Sequence, residues 1–253
     1  MKKRYILSIV LILIFNTSSA QELKKEYQDV VQTFIDCIKS KNVEKLTTII
    51  RFPLRREYPL PEIKNGAELH KRYEEIFDDT LTNIIIKSDI KNDWSTVGWR
   101  GIMLNNGTLW LDYEGNLIGI NYQSYREKIR KENLIEKDRA SMHMSLKHFE
   151  NPVLILETKK FRVRIDELSN GVYRYASWPI NLHMNEKPDL ILENGKWIPD
   201  GNGGNHSYKF VNGNYTYECS INVLKEAEVP SAYLIVYKNN DEILRQSAQI
   251  MKK

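Results

Sequence analysis

Cysteine is nearly absent from this chain: Cys37 and Cys219 are the only two among 253 residues, too few for a disulfide-dense scaffold. Glycine (12) and proline (8) are also sparse, which excludes collagen-like and low-complexity classes. Histidine occurs five times, and only His143 and His148 lie close in sequence. Their spacing fits neither one helical face nor the two-residue beat of a strand. A zinc site needs three or four converging ligands, so no metal centre and no cofactor are expected. There is no Gly-x-Ser-x-Gly elbow, no pairing of Ser or Cys with a His that suggests a nucleophile, and no P-loop. No internal repeat is present. The longest apolar run, residues 5–15, is about half of the roughly 20 residues needed to cross a bilayer.

That run is flanked by Lys2-Lys3-Arg4 and by small or polar residues from Asn16 to Ala20. A basic start, a short apolar stretch and a small-residue pair, Ser18 and Ala20, form a bacterial-type export signal with cleavage expected after Ala20. No Cys stands at that site, so a lipid anchor is not expected. The mature chain is expected in the periplasm or outside the cell, without an integral membrane anchor. Removing the three leader cations from 37 Lys+Arg leaves 34 against 33 Asp+Glu, a net charge of +1. Segments 21–122, 123–150 and 151–253 each lie within two charges of neutrality. Nucleic-acid binding needs clustered positive charge, so no nucleic-acid partner is expected. The densest basic cluster, Arg51, Arg55 and Arg56, sits in a proline-bounded stretch and reads as a solvated edge.

Periodicity divides the mature chain in three. In residues 21–122, Leu23, Tyr27, Val30, Val31, Phe34, Cys37 and Ile38 form one face of a helix. Asn42 caps a second, short helix, and Asn65 with Glu68 opens a third that ends near Asp78. Between them Pro53, Pro59 and Pro61 permit only loop or edge strand. From Leu81 the period reads as strand: Leu81–Lys87, Trp94–Arg100, Ile102–Leu104, Thr108–Tyr113 and Leu117–Tyr122, with a hairpin signal at Asn105-Asn106-Gly107. Residues 123–150 are densely charged with a thin apolar stripe and read as a solvated helical linker. Residues 151–253 offer eight short strand segments separated by Asn/Gly turn signals, the pattern of an all-β sandwich or barrel-like domain.

The order of elements in residues 21–122 resembles the NTF2-like (nuclear transport factor 2-like) superfamily of cone-shaped folds. The resemblance rests on Phe34-Ile35-Asp36, the Asn42 cap, Phe52-Pro53-Leu54, the helix end Tyr73 to Phe77, and the run Gly107 to Asp112 returning through Asn121. It implies an α+β fold with helices on a curved antiparallel sheet. The superfamily holds isomerases and other small-molecule enzymes as well as non-catalytic binding members, so the fold does not settle activity. Its isomerases use a carboxylate base in an apolar pocket. The second half resembles β-rich segments of uncharacterised exported bacterial proteins through Tyr173 to Trp178, Pro188 to Leu192 and Gly201 to His206, and no function comes with it.

The candidate site residues follow. Trp94, Trp99, Trp110 and Tyr122 fall on successive expected strands, where they are core filler or the lining of a cavity. Asp112 shares a face with Trp110 and is either a base or an outward strand carboxylate. Asn202, Asn205 and His206 lie in a Gly-rich stretch that is either an anion-turning loop or a plain hairpin. Cys37 and Cys219, in separate units of an exported protein, could form a disulfide or remain buried thiols. The absence of a convergent acid, base or nucleophile favours a non-catalytic binding or interaction module for a small molecule, a cell-wall fragment or a protein partner. The alternatives are a small hydrolase or isomerase using Asp112 or Asp36, and an exported inhibitor or immunity-type protein.

Overall fold

The structure, a computed structural model, describes residues 23–251 apart from 202 and 203. The expected leader 1–20 and Asn202 lie outside the described residues.

The N-terminal unit begins with α1 (Lys25–Lys39), whose stripe of Val31, Phe34, Ile35, Cys37 and Ile38 is buried. Next come α2 (Val43–Thr48), α3 (Gly66–Ile76) and α4 (Asp79–Ile86). Each of these three helices has a side-chain N-cap. The carboxyl or amide oxygens of Asn42, Asn65 and Asp78 accept from the amides of Lys45 (2.8 Å), Glu68 (3.0 Å) and Leu81 (2.9 Å), satisfying donors that a helix start leaves open. The Asp78 cap explains why Leu81–Lys87 is helical and not the expected strand. Once the turn is nucleated, Leu81 and Ile85 fall one turn apart and bury against the core that α1 also fills. Four short strands follow: β1 (Trp94–Thr96), β2 (Ile102–Leu104), β3 (Leu109–Leu111) and β4 (Leu117–Ile120), an antiparallel meander in that order.

Helix α5 (Tyr125–Ser141) leaves this unit with Ser124 Oγ accepting from Glu127 N at 3.1 Å. Eight strands then form a closed antiparallel barrel: β5 (Asn151–Glu157), β6 (Phe161–Glu167), β7 (Tyr173–Pro179), β8 (Leu190–Asp200), β9 (Asn205–Asn212), β10 (Tyr215–Ile221), β11 (Ala232–Lys238) and β12 (Asp241–Ile250). Alternate residues point inward, and Leu156, Val163, Ile165, Tyr175, Phe210, Cys219 and Leu234 pack as one core. Closure rests on two register pairs between β12 and β5, Gln249 with Glu157 and Ile250 with Leu156. Strand β8 runs straight through Asn194-Gly195, which reads as a turn in sequence. Asn194 adopts φ +60°, and the register of β7 against β8 shifts there, so the dipeptide is a bulge that bends β8 from β7 onto β9. Gly195 is obligatory for this passage, since a Cβ would fall 2.1 Å from Phe210 Cε1.

The expected fold class is therefore corrected. The chain is mostly β, dominated by a closed eight-stranded barrel, where an α+β class was expected. Beside the barrel, strands of three or four residues make a small four-stranded sheet accompanied by a few helices. The helix expected at 123–150 is α5, exposed or half-buried along most of its length, with Glu127 and Ile135 buried.

Candidate binding cleft

Helix α5 joins the two units through two buried ionic clusters. Near its start, Glu127 accepts from Arg56 Nε at 2.8 Å and pairs again with Arg56 Nη2. The Arg56 side chain is 1% exposed and that of Glu127 0%. Arg56 also donates to the carbonyls of Ile120 and Tyr122. Arg72 reaches Glu127 at 3.4 Å and Glu75 at 3.1 Å, and Arg130 of α5 reaches Glu75 at 2.9 Å. Arg56 thus departs from the solvated edge expected for it, because the prolines around it fold the loop inward onto α5. Near the other end of the helix, Arg164 of β6 lies 2.7 Å from Asp138 and 2.6 Å from Asp166. Arg174 of β7 binds Asp166 at 2.6 Å and the carbonyls of Leu146 and His148. Burial, the Asp138 charge and the Asp166 charge push the Tyr58 phenol up to about 12, against a smaller lowering by Arg164. Tyr58, Leu60 and Pro61 of the proline-rich loop line one pocket together with barrel residues Leu154 and Ile250.

Between these fastenings lies a cleft of about 910 Å³, within the range of small-molecule sites. One wall comes from loop 51–61 and α3, the other from the barrel mouth. The first wall and the adjoining α5 bring Arg55, Lys64, Lys71, Arg72 and Arg130, and Lys225 comes from the β10–β11 loop. The opposite wall is aliphatic: Val153, Leu154, Ile221, Val223, Ile250 and Met251. With Arg56 the lining holds seven cations against Glu62, Glu68 and Glu75. Arg55, Lys64, Lys71 and Lys225 form no ion pair among the described residues. Arg55, Lys64 and Lys71 thus stand on the N-terminal wall across from the aliphatic residues, while Lys225 lies on the barrel side beside Val223.

The residues singled out from sequence mostly fall elsewhere. Trp94 is core: it is 1% exposed, and its Nε1 donates to Ser88 Oγ at 2.8 Å. Trp99 is 70% exposed on a 3-10 turn, and Trp110 is half-buried between Gly107 and Gly119. Tyr122 donates to Asp78, the α4 cap, at 2.9 Å, and burial and that carboxylate raise its pKa. Asp112 accepts from Arg51 Nε (3.1 Å) and from the amides of Glu114 and Asn116. Burial opposes ionisation there, yet hydrogen bonds from Asn116 and Arg51 outweigh it and hold the pKa below the ordinary value. That carboxylate is a turn anchor, poorly suited to act as a base. Asp36 takes a bond from Gln32 on the exposed side of α1. Neither Asp112 nor Asp36 lines the cleft.

Asn205 does serve it. Its Oδ1 accepts from the amides of Val223 and Leu224 at 2.8 and 2.9 Å, pinning the loop that presents Val223 and Lys225. His206 sits between Trp197 and Tyr208, with ring centroids 5.8 and 5.5 Å away. Cys37 and Cys219 are both free, each buried in a different core, so the possible bridge is not formed. Burial pushes both thiols up. Among the described residues no group of three His, Cys, Asp or Glu could hold a metal ion, and no helix is long and apolar enough to cross a membrane.

The cleft residues were missed because they come from six separate segments: the loop 55–64, α3, α5, β5, β10 with the loop after it, and the end of β12. The one available signal was the cluster Arg55-Arg56 between prolines. No family model, curated protein or solved structure matches the chain.

Proposed function

We propose that this is an exported, non-catalytic binding module that holds a small anionic molecule in the cleft between its N-terminal unit and its barrel. The observation that carries the reading is the set of four cations without an ion pair, three of them across from the aliphatic residues of the barrel side and the fourth, Lys225, at its edge. Desolvating one face of an anion strengthens its attraction to nearby cations, and the aliphatic wall supplies that low-dielectric side. The export signal read from residues 1–20 supports placement outside the cytoplasm.

Titration of the mature chain with 8-anilinonaphthalene-1-sulfonate, an aromatic anion, tests this through the probe's fluorescence. One saturable site is expected. The double variant Lys71→Glu, Lys225→Glu should weaken it about tenfold, as reversing two partly screened charges implies, with the unfolding midpoint unchanged. Unsaturable binding, or binding indifferent to those charges, refutes the reading.

A further inference from the structure

The cleft lining divides by chemistry in a way that narrows its ligand. Of its twenty-one residues, only Tyr58, Asn222 and Ser231 carry neutral polar side chains, and Tyr58 is the single aromatic. Asn222 already spends its side-chain amide on the Pro230 carbonyl at 2.8 Å. A saccharide or nucleobase needs stacking surfaces and many neutral donors and acceptors, and this lining has few. What it has is a surplus of cations and a group of aliphatic residues on the barrel side.

The hydrocarbon side is continuous with the barrel interior. Val153, Leu154, Ile221 and Ile250 line the cleft and also pack in the barrel's own core cluster. Along β12, Ile250, Ala248, Gln246 and Leu244 lie on one inward-facing row, of which Ile250, Ala248 and Leu244 touch that core. Gln246 Oε1 is buried there without a partner. The cleft thus ends on the edge of the barrel's packed apolar core and is fringed by cations. On the cationic side Glu127 and Glu75 already engage Arg56 and Arg72, and Glu62 and Glu68 stand among the remaining cations. The surplus suits a head group of one or two negative charges and not a polyanion.

Resting on the proposed binding role, we infer that the ligand is a single-chain anionic amphiphile, a fatty acid or monoalkyl phosphate. Its head lies among Arg55, Lys64, Lys71 and Lys225, and its chain runs over Leu154, Ile221 and Ile250 toward the barrel interior.

The experiment displaces the bound fluorescent anion with octanoate, decanoate, dodecanoate and dodecyl phosphate below their micellar concentrations, with acetate and dodecyltrimethylammonium beside them. Burying a methylene contributes up to about 0.8 kcal/mol, or fourfold in Kd. The expected result is at least a fivefold tightening for each two carbons added and at least tenfold weaker binding of the cationic amphiphile. Ile221→Trp should abolish the gain from the longest chains by filling the mouth. Should that variant fold poorly, Met251→Ser, at a partly exposed position, should weaken dodecanoate more than octanoate, and equal weakening of the two overturns the placement of the chain. Displacement that is independent of chain length, yet still lost in Lys71→Glu, Lys225→Glu, overturns the amphiphile and leaves the anion site standing. Absence of any charge-dependent site overturns both. Equal affinity for the cationic amphiphile overturns the head-group assignment. Co-sedimentation with phosphatidylglycerol vesicles without uptake of free dodecanoate assigns the charge to a bilayer surface and overturns the inference.

Discussion

Replacing Glu127 by Gln keeps the shape of the side chain and removes its charge, and the consequences follow from its neighbours. Arg56 has 1% side-chain exposure and gives Glu127 both a 2.8 Å bond and a second, shorter one. In the variant the Arg56 guanidinium keeps the carbonyls of Ile120 and Tyr122 but has no counter-charge within reach, while Arg72 retains Glu75 at 3.1 Å. Leaving one buried partner uncompensated costs about 3–5 kcal/mol, a large share of the roughly 5–15 kcal/mol that folds a domain. Urea unfolding followed by tryptophan fluorescence and circular dichroism reads this directly. At a slope of about 3 kcal/mol/M the midpoint should fall by roughly 1–1.7 M. The double variant Arg56→Met, Glu127→Leu removes both charges and should recover about half of the loss, because only the two carbonyls then lack a donor. A coupling energy of at least 2 kcal/mol is expected from the cycle. A Glu127→Gln cost under about 1 kcal/mol, or a coupling near zero, would show that α5 is not fastened through this charge.

Two further outcomes are expected. Tyr58 is raised to about 12 from an ordinary value of 10.0, so the unfolded chain releases that proton first. The contribution is intact below pH 10 and is lost as pH climbs toward 12. Urea midpoints should therefore fall less steeply over that window in Tyr58→Phe than in the parent, and parallel curves would contradict the placement. Gly195→Ala forces a methyl to 2.1 Å from Phe210 Cε1. That overpacking should cost about 1–3 kcal/mol by the same urea assay, and Gly195→Ala with Phe210→Leu should recover part of it; an unaffected midpoint would mean that β8 does not pass Phe210 so closely.

How legible the molecule was depends on how local each signal is. The amphipathic stripe of α1 and the caps at Asn42 and Asn65 are decided by neighbours three and four residues away, and they stand where the sequence puts them. All eight strand segments expected after residue 151 fall on strands of the barrel. The Ile84-Ile85-Ile86 run misled because three β-branched residues favour strand, while one upstream carboxylate, Asp78, starts a helix and burial completes it. Asn194-Gly195 misled because positive φ serves a bulge as well as a turn. The cleft was illegible for a different reason: Lys71, Lys225 and Ile250 share no local pattern, and only the docking of loop 51–61 and α5 against the barrel brings them together.

The two clusters on α5 also bear on why the cleft charge has a purpose beyond stability. Glu127 and Asp138 are eleven residues apart, about 16 Å along the helix. One grips Arg56 of the N-terminal unit and the other Arg164 of the barrel. Each fastening contains its own counter-charges: Glu127 and Glu75 for Arg56, Arg72 and Arg130, and Asp138 and Asp166 for Arg164 and Arg174. The docking of the units therefore draws nothing from Arg55, Lys64, Lys71 or Lys225. Like charges gathered at one rim repel one another, and without a partner they add nothing to the folded state. An anion seated among them converts that repulsion into binding energy, which makes a ligand the simplest physical reason for four cations to be gathered beside the aliphatic rim of the barrel.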